Sequence, residues 1–293
     1  MKEAIYFQKI GGQRMEVRCR ACAHSCLIPE GKRGICGTRE NIRGTLYALN
    51  YGKTIALHID PIEKKPLYRF LPGSMIYSFA AVGCNFHCSW CQNWEISQDP
   101  KPDKTIRGQD ITAAEHVDLA VKNSCPAIAC TYSEPTVFLE YAFDVMQLAA
   151  KKGLKNVWVT NGYLSDDTIG LILPYLDAVN IDFKGPDEEF YRRYCGGSAA
   201  PVMNTIKKLY AAGVHVEITT LIIPGLNDKA EQIEQIAAFL SKEISLEVPW
   251  HISRFFPAWK MSDLDPTPYE TLYMAENLGK RAGLKNIYLG NIR

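Results

Sequence analysis

From residue 75 onward the chain keeps one rhythm, and that rhythm most restricts the folds open to it. Short apolar runs alternate with helical patterns: "MIYSFAAV" at 75–82, "PAIACTY" at 126–132, "NVWVTNG" at 156–162, "AVNIDFK" at 178–184, "VHVEITTLII" at 214–223 and "VPWHISRF" at 248–255. Runs this short and apolar read as strands buried on both faces. In the segment starting at Asp228, residues Ile233, Ile236, Ala237 and Leu240 fall on one face at helical spacing. In "DPTPYETLYMAENLGKRAG", Thr267 and Glu270 form a capping-box pattern, with Pro268 at the first helical position and Gly283 as a stop. An internal echo reinforces the repeat: "GLKNVWVTN" at 153–161 and "GLKNIYLGN" at 283–291 each read as helix, Gly cap, tight turn and strand. Strand–helix alternation with short connections implies a parallel sheet with right-handed crossovers, either an open sheet or a partial barrel. In both, a ligand site lies at the carboxyl ends of the strands.

Residues 1–75 differ. They are rich in Cys, Gly and Lys/Arg, with short strand-like pieces such as "GTLYALNYGKTIALHID". The expected division is a small Cys-rich amino-terminal subdomain, 1–75, followed by the α/β unit, 76–293. A length of 293 residues suits one large domain with an appendage, and 47% hydrophobic residues suit a large core. Net charge is +1 and no run of five like charges occurs, which argues against a nucleic-acid partner. The start, "MKEAIYFQKI", has no apolar core with a cleavage site, so it does not read as a secretory signal. The longest apolar run, eight residues from Met75, falls far short of the roughly 20 needed to span a bilayer. A cytoplasmic protein with no membrane partner is expected.

Ten cysteines in such a chain point to metal more than to disulfides. Cys125, Cys130 and Cys195 stand alone and read as small buried hydrophobes. Cys84, Cys88 and Cys91 form C-x3-C-x2-C in "AAVGCNFHCSWCQNWE", directly after the first apolar run. Asn85, His87, Ser89 and Gln92 make the loop polar, which disfavours three core thiols. One reading is zinc with His87 as fourth ligand. Another is a four-iron cluster whose fourth iron stays open for a substrate or cosubstrate. Upstream, Cys19, Cys22, Cys26 and Cys36 give C-x2-C-x3-C-x9-C, enough to close a zinc site or hold an auxiliary iron–sulfur cluster.

C-x3-C-x2-C with an aromatic residue, Trp90, before the last cysteine resembles the signature of radical S-adenosylmethionine (SAM) enzymes. The resemblance spans about residues 75–290. Within that superfamily the chain resembles the group around pyruvate formate-lyase activating enzymes. Through "CNFHCSWCQNWEIS", "TYSEPTVFLEY" and "VNIDFKGPDEEFYRR", it resembles more closely the radical SAM component of AmmeMemoRadiSam systems. The resemblance implies an α/β fold: a partial (β/α)6-type TIM barrel. It also implies an oxygen-sensitive oxidoreductase whose [4Fe–4S] cluster, on Cys84, Cys88 and Cys91, cleaves SAM to a 5′-deoxyadenosyl radical that abstracts hydrogen.

Residue by residue, the resemblance places Trp90 near the cosubstrate. Ser133 and Glu134 of "YSEP" fall where the family usually has Gly-Gly-Glu-Pro, which holds the methionine amino group. Asn161 and the Asp182–Lys184 pair fall near the cosubstrate, ribose and substrate, and His251 near the sixth strand end. Thr219 stands where activating enzymes often carry a carboxylate-binding arginine, with Arg254 as a candidate replacement. The implied partners are a flavodoxin- or ferredoxin-type electron donor, and a glycyl-radical enzyme or Memo-like and AMMECR-like proteins. Relatives commonly continue past the equivalent of "YLGNIR" with another Cys-x2-Cys segment. The competing readings are a zinc-binding interaction protein and a non-radical iron–sulfur redox protein.

Overall fold

The computed structural model describes residues 1–10, 15–100 and 105–292. All six apolar runs form strands: β2 (Met75–Ala80), β3 (Ala127–Cys130), β4 (Lys155–Thr160), β5 (Ala178–Asp182), β6 (His215–Ile222) and β7 (Trp250–Arg254). The internal echo supplies a seventh parallel strand, β8 (Ile287–Gly290). Ala56–Pro61, β1, joins at the opposite edge, antiparallel to β2. The sheet thus begins before the expected boundary at residue 75.

Strand order in this eight-stranded sheet is sequential, β1 to β8. The parallel strands therefore advance in one direction. Right-handed crossovers then put every helix on the same face and curl the sheet into an incomplete barrel. The longer helices are α1 (Ala113–Lys122), α2 (Leu139–Lys151), α3 (Asp166–Ile172), α4 (Ala199–Ala211), α5 (Ala230–Phe239) and α6 (Tyr269–Arg281). Helices cover one face of each strand and the barrel interior covers the other, so all four residues of β3 are buried. The expected stripe of α5 is buried at Ile233, Ile236 and Ala237, with Leu240 just beyond the helix. Gly153 and Gly283 end α2 and α6 with φ of 75° and 92°, the left-handed conformation that glycine adopts freely.

One expected cap does not form. Helix α6 starts at Tyr269 with no side-chain cap. The Thr267 hydroxyl is buried and donates to Ile222 O at 2.6 Å while accepting from Phe255 N at 2.9 Å. Tying two strand ends inside the core outweighs one helix cap.

The segment between β1 and β2 closes the amino-terminal end of the barrel. Asn180 of β5 donates to Pro66 O at 2.7 Å. Tyr68 packs on His251 of β7 and Tyr288 of β8 with centroids 4.8 Å apart in each pair. Glu217 of β6, fully buried, accepts Tyr68 N at 3.0 Å, Arg69 N at 2.7 Å, His215 Nε2 at 2.9 Å and His251 Nε2 at 2.6 Å.

The amino-terminal residues form short antiparallel ribbons laid against the barrel. Arg39 anchors them: its guanidinium pairs with Glu140 of α2 at 2.8 Å, both side chains buried, and Glu140 also accepts Ile5 N at 3.0 Å. Breaking such a buried pair costs several kcal/mol, because the remaining charge is left uncompensated.

Burial raises the Glu217 pKa, but its four donors outweigh burial and hold it down to about 2 from an ordinary 4.5. Its ionised form therefore contributes stability that is present above pH 4.5 and is lost as pH falls toward about 2. Glu217→Gln is expected to lower stability at neutral pH by on the order of 3 kcal/mol and to flatten the acid limb in that window. Thermal unfolding followed across pH checks it; an unchanged acid limb would rule out this role.

Candidate active site

The cysteine loop leaves β2 through Gly83, whose φ is 106°. A Cβ there would sit 2.5 Å from Thr38 Cγ2 and 3.1 Å from Cys36 O, so only glycine lets the amino-terminal ribbon pass this close. Backbone bonds then set the loop's course: His87 N to Cys195 O at 2.7 Å and Ser89 N to Tyr194 O at 3.2 Å. Phe86 is buried against Tyr163, centroids 4.9 Å apart, and Phe86 N donates to Cys84 Sγ at 3.3 Å.

A polar chain ties the loop to the next two strand ends. Asn161, just past β4, donates to Asn85 Oδ1 at 2.7 Å. Its backbone N–H donates to Glu134 Oε2 at 2.8 Å. Glu134 Oε1 accepts Thr160 Oγ1 at 2.7 Å, Thr136 Oγ1 at 2.6 Å and Thr136 N at 3.1 Å. Glu134 is 1% exposed, and burial pushes its pKa up against these donors. Both its oxygens are engaged within the protein, so it braces the floor of the site.

At the carboxyl ends of the strands lies a cleft of about 370 Å³. It is lined by Cys84, Cys88, Cys91, Trp90, Ser133, Glu134, Asn161, Asp182, Lys184 and Thr219. Lys184 Nζ lies 3.3 Å from Asp182 Oδ2; the lysine side chain is 9% exposed and the aspartate 47%. Burial works against the Lys184 charge, but Asp182 and the Cys88 and Cys195 thiols outweigh it and hold its pKa above the ordinary value. Thr219 donates to Asn180 Oδ1 at 2.9 Å, and Ser133 to Ala81 O at 2.6 Å, leaving each hydroxyl able to accept.

Two expected residues are placed elsewhere. His251 lies two residues before Ser253, which lines the cleft, so it points the same way one layer deeper. There Glu217 and the stacked Tyr288 ring engage it: it is a satisfied core histidine, 3% exposed. Arg254 donates to Thr267 O at 2.8 Å and lies over the Tyr269 ring, outside the lining. The zinc reading with His87 also lacks geometric support. His87 Nδ1 bonds Gln98 Oε1 at 2.7 Å, and among the described residues no three His, Cys, Asp or Glu close around a single ion.

Other residues went unrecognised in the sequence. Cys195 lies beside Cys88; this thiol contact, helped by Lys184, outweighs burial and holds the Cys88 pKa below the ordinary value. Its isolation in sequence concealed this, because the pairing arises only from the fold. Tyr132 has a φ of 62° at the first position of the "YSEP" stretch. A tyrosine in this left-handed conformation is strained, and the surroundings must hold it. They do: its hydroxyl donates to Asp60 at 2.9 Å, and Lys65 Nζ stands 3.3 Å away. Lys65 and Tyr132 both line the cleft. The substitution of Tyr for a family glycine was the available signal.

The chain belongs to the radical SAM superfamily, whose family model matches residues 80–240. It is thus an enzyme of that class, whose members bind a [4Fe–4S] cluster and SAM. It is 45% identical over 292 residues to an uncharacterised protein of Methanocaldococcus jannaschii, covering 100% of this chain and 86% of that one. It is 25% identical over 179 residues to the pyruvate formate-lyase-activating enzyme of Clostridium pasteurianum, covering 58% of this chain and 72% of that one. In fold it is similar to Streptococcus suis SuiB bound to SAM, at TM-score 0.56 and 12% identity, covering 73% of this chain and 49% of that one. A radical SAM methyltransferase from Sphaerobacter thermophilus gives TM-score 0.56 at 14% identity, covering 75% of this chain and 67% of that one. Among the described residues, no helix is long and apolar enough to cross a membrane.

Glu134→Ala would strand four buried donors. It is expected to cost at least about 3 kcal/mol, against about 1 kcal/mol for Thr219→Val. Urea unfolding of both variants measures the difference, and equal small losses would contradict the bracing role.

Proposed function

We propose that Cys84, Cys88 and Cys91 hold the [4Fe–4S] cluster through three irons, leaving the fourth open to SAM. The observation that carries this reading is the shared cleft: three thiols, Asp182, Lys184, Asn161 and Thr219 converge at the carboxyl ends of parallel strands. When bound, the cluster supplies the electron that cleaves SAM to methionine and a 5′-deoxyadenosyl radical, which removes hydrogen from a substrate.

The chain's own residues prepare the place. Lys184 sets a buried positive charge near Cys88, favouring its thiolate. Asp182, half exposed, offers acceptor oxygens to ribose or substrate hydroxyls. Ser133 and Thr219 offer hydroxyl acceptors on either side of the cleft. Trp90, buried against Phe190 at 5.5 Å, lines the cleft beside Cys91. The glutamate brace below Asn161 sets the height of the cysteine loop.

Two substrate classes are compatible with the resemblance. One is a glycine backbone in a partner protein, since several relatives at 25–27% identity are activating enzymes. The other is a substrate of a Memo-type system. Tyr132 and Thr219, where activating enzymes usually carry Gly and Arg, favour this second class. We place a flavodoxin- or ferredoxin-type donor upstream of either.

The test is anaerobic reconstitution followed by reduction in the presence of SAM. Wild type should release 5′-deoxyadenosine, and Cys84→Ala, Cys88→Ala and Cys91→Ala should each abolish it. Lys184→Met should retain iron yet cleave at least about tenfold more slowly. No cleavage by a fully loaded wild-type cluster would overturn the reading.

A further inference from the structure

The four amino-terminal cysteines are not absorbed by the reading above. Cys19, Cys22, Cys26 and Cys36 line one enclosed cavity, together with Arg39 and Asn85. They come from separate turns of the ribbon, so their meeting is a product of the fold. A single bound zinc would draw four sulfurs to about 2.3 Å from its centre, leaving no room for a water-sized sphere among them. The cavity these cysteines line holds about 20 Å³, room for a water-sized sphere, and no three of the thiols close around a single ion. Four thiols that share a cavity without closing on one ion match a larger inorganic group, in which each sulfur binds a different iron. Cys84, Cys88 and Cys91 show the same relation: they share a cleft without closing on one ion.

A second observation points to an occupant. Arg39 is 2% exposed, and its terminal nitrogens bond Glu140 and Thr136 O. Its Nε is buried with no hydrogen-bond partner, and Arg39 lines the cavity. An unmade bond from a buried guanidinium is costly. An anionic sulfur-rich group in the cavity would receive it, and hydrogen bonds to sulfur are a regular part of iron–sulfur sites. Thr38 Oγ1 already donates to Cys36 Sγ at 3.3 Å.

We propose that Cys19, Cys22, Cys26 and Cys36 ligate a second [4Fe–4S] cluster, closed by four protein thiolates, with Arg39 Nε as a donor to its sulfur shell. The site lies against the first one. His24 Nε2 is 2.7 Å from Asn85 O, Asn85 lines the cavity, and the adjacent Cys84 lines the cleft.

The experiment counts iron, acid-labile sulfide and zinc in the anaerobically reconstituted full chain and in two variants. About eight irons and eight sulfides per wild-type chain are expected. About four of each should remain in Cys19→Ala/Cys22→Ala and also in Cys84→Ala/Cys88→Ala/Cys91→Ala. If the first variant does not fold, the triple variant decides alone, because the four cysteines it keeps around one cavity are the amino-terminal ones. Zinc in place of the second cluster, or a triple variant free of iron, would overturn the proposal. A wild type with about four irons that survive in the triple variant would support it while overturning the assignment of Cys84, Cys88 and Cys91.

Discussion

The structure turns on one buried carboxylate. Glu134 sits where β3 ends and receives donors from its own turn and from the end of β4. A charge withdrawn from water is tolerable only when donors surround it, and here four do. The consequence reaches the cysteine loop through Asn161 and Asn85. Three consecutive strand ends are thereby held at one height, and the thiols project over a floor that cannot shift independently.

The two ends of the barrel use the same device for opposite purposes. At the amino-terminal end, Glu217 gathers donors from the plug and from two histidines and seals the interior. At the carboxyl end, the polar groups are only partly satisfied: Asp182, Ser133 and Thr219 keep acceptor capacity facing the cleft. This difference in saturation separates a structural layer from a site. It also explains why His251, on the correct strand and pointing inward, belongs to the closed end.

The amino-terminal ribbons are coupled to the barrel at points that also serve the site. Arg39 reaches Glu140 and faces the four-thiol cavity, and the ribbon passes over Gly83 one residue before Cys84. Packing of the appendage and placement of the cysteine loop are therefore not separable. The strain at Tyr132 belongs to the same frame, since Asp60 stands in β1 and Lys65 just past its end.

Much was legible in the sequence because it depends on local periodicity. Runs buried on both faces announced six strands, and the repeated "GLKN" announced a seventh, because glycine caps and apolar spacing act within a few residues. The three-cysteine loop could be placed at the carboxyl end of a strand for the same reason. The tertiary structure alone decided which polar residues are used up and which stay free. Thr267 ties strands instead of capping a helix, Glu134 and His251 are satisfied from within, and Cys195 meets Cys88 across more than a hundred residues. Whether a side chain is satisfied depends on partners distant in sequence, and only the closed barrel brings them within hydrogen-bonding distance.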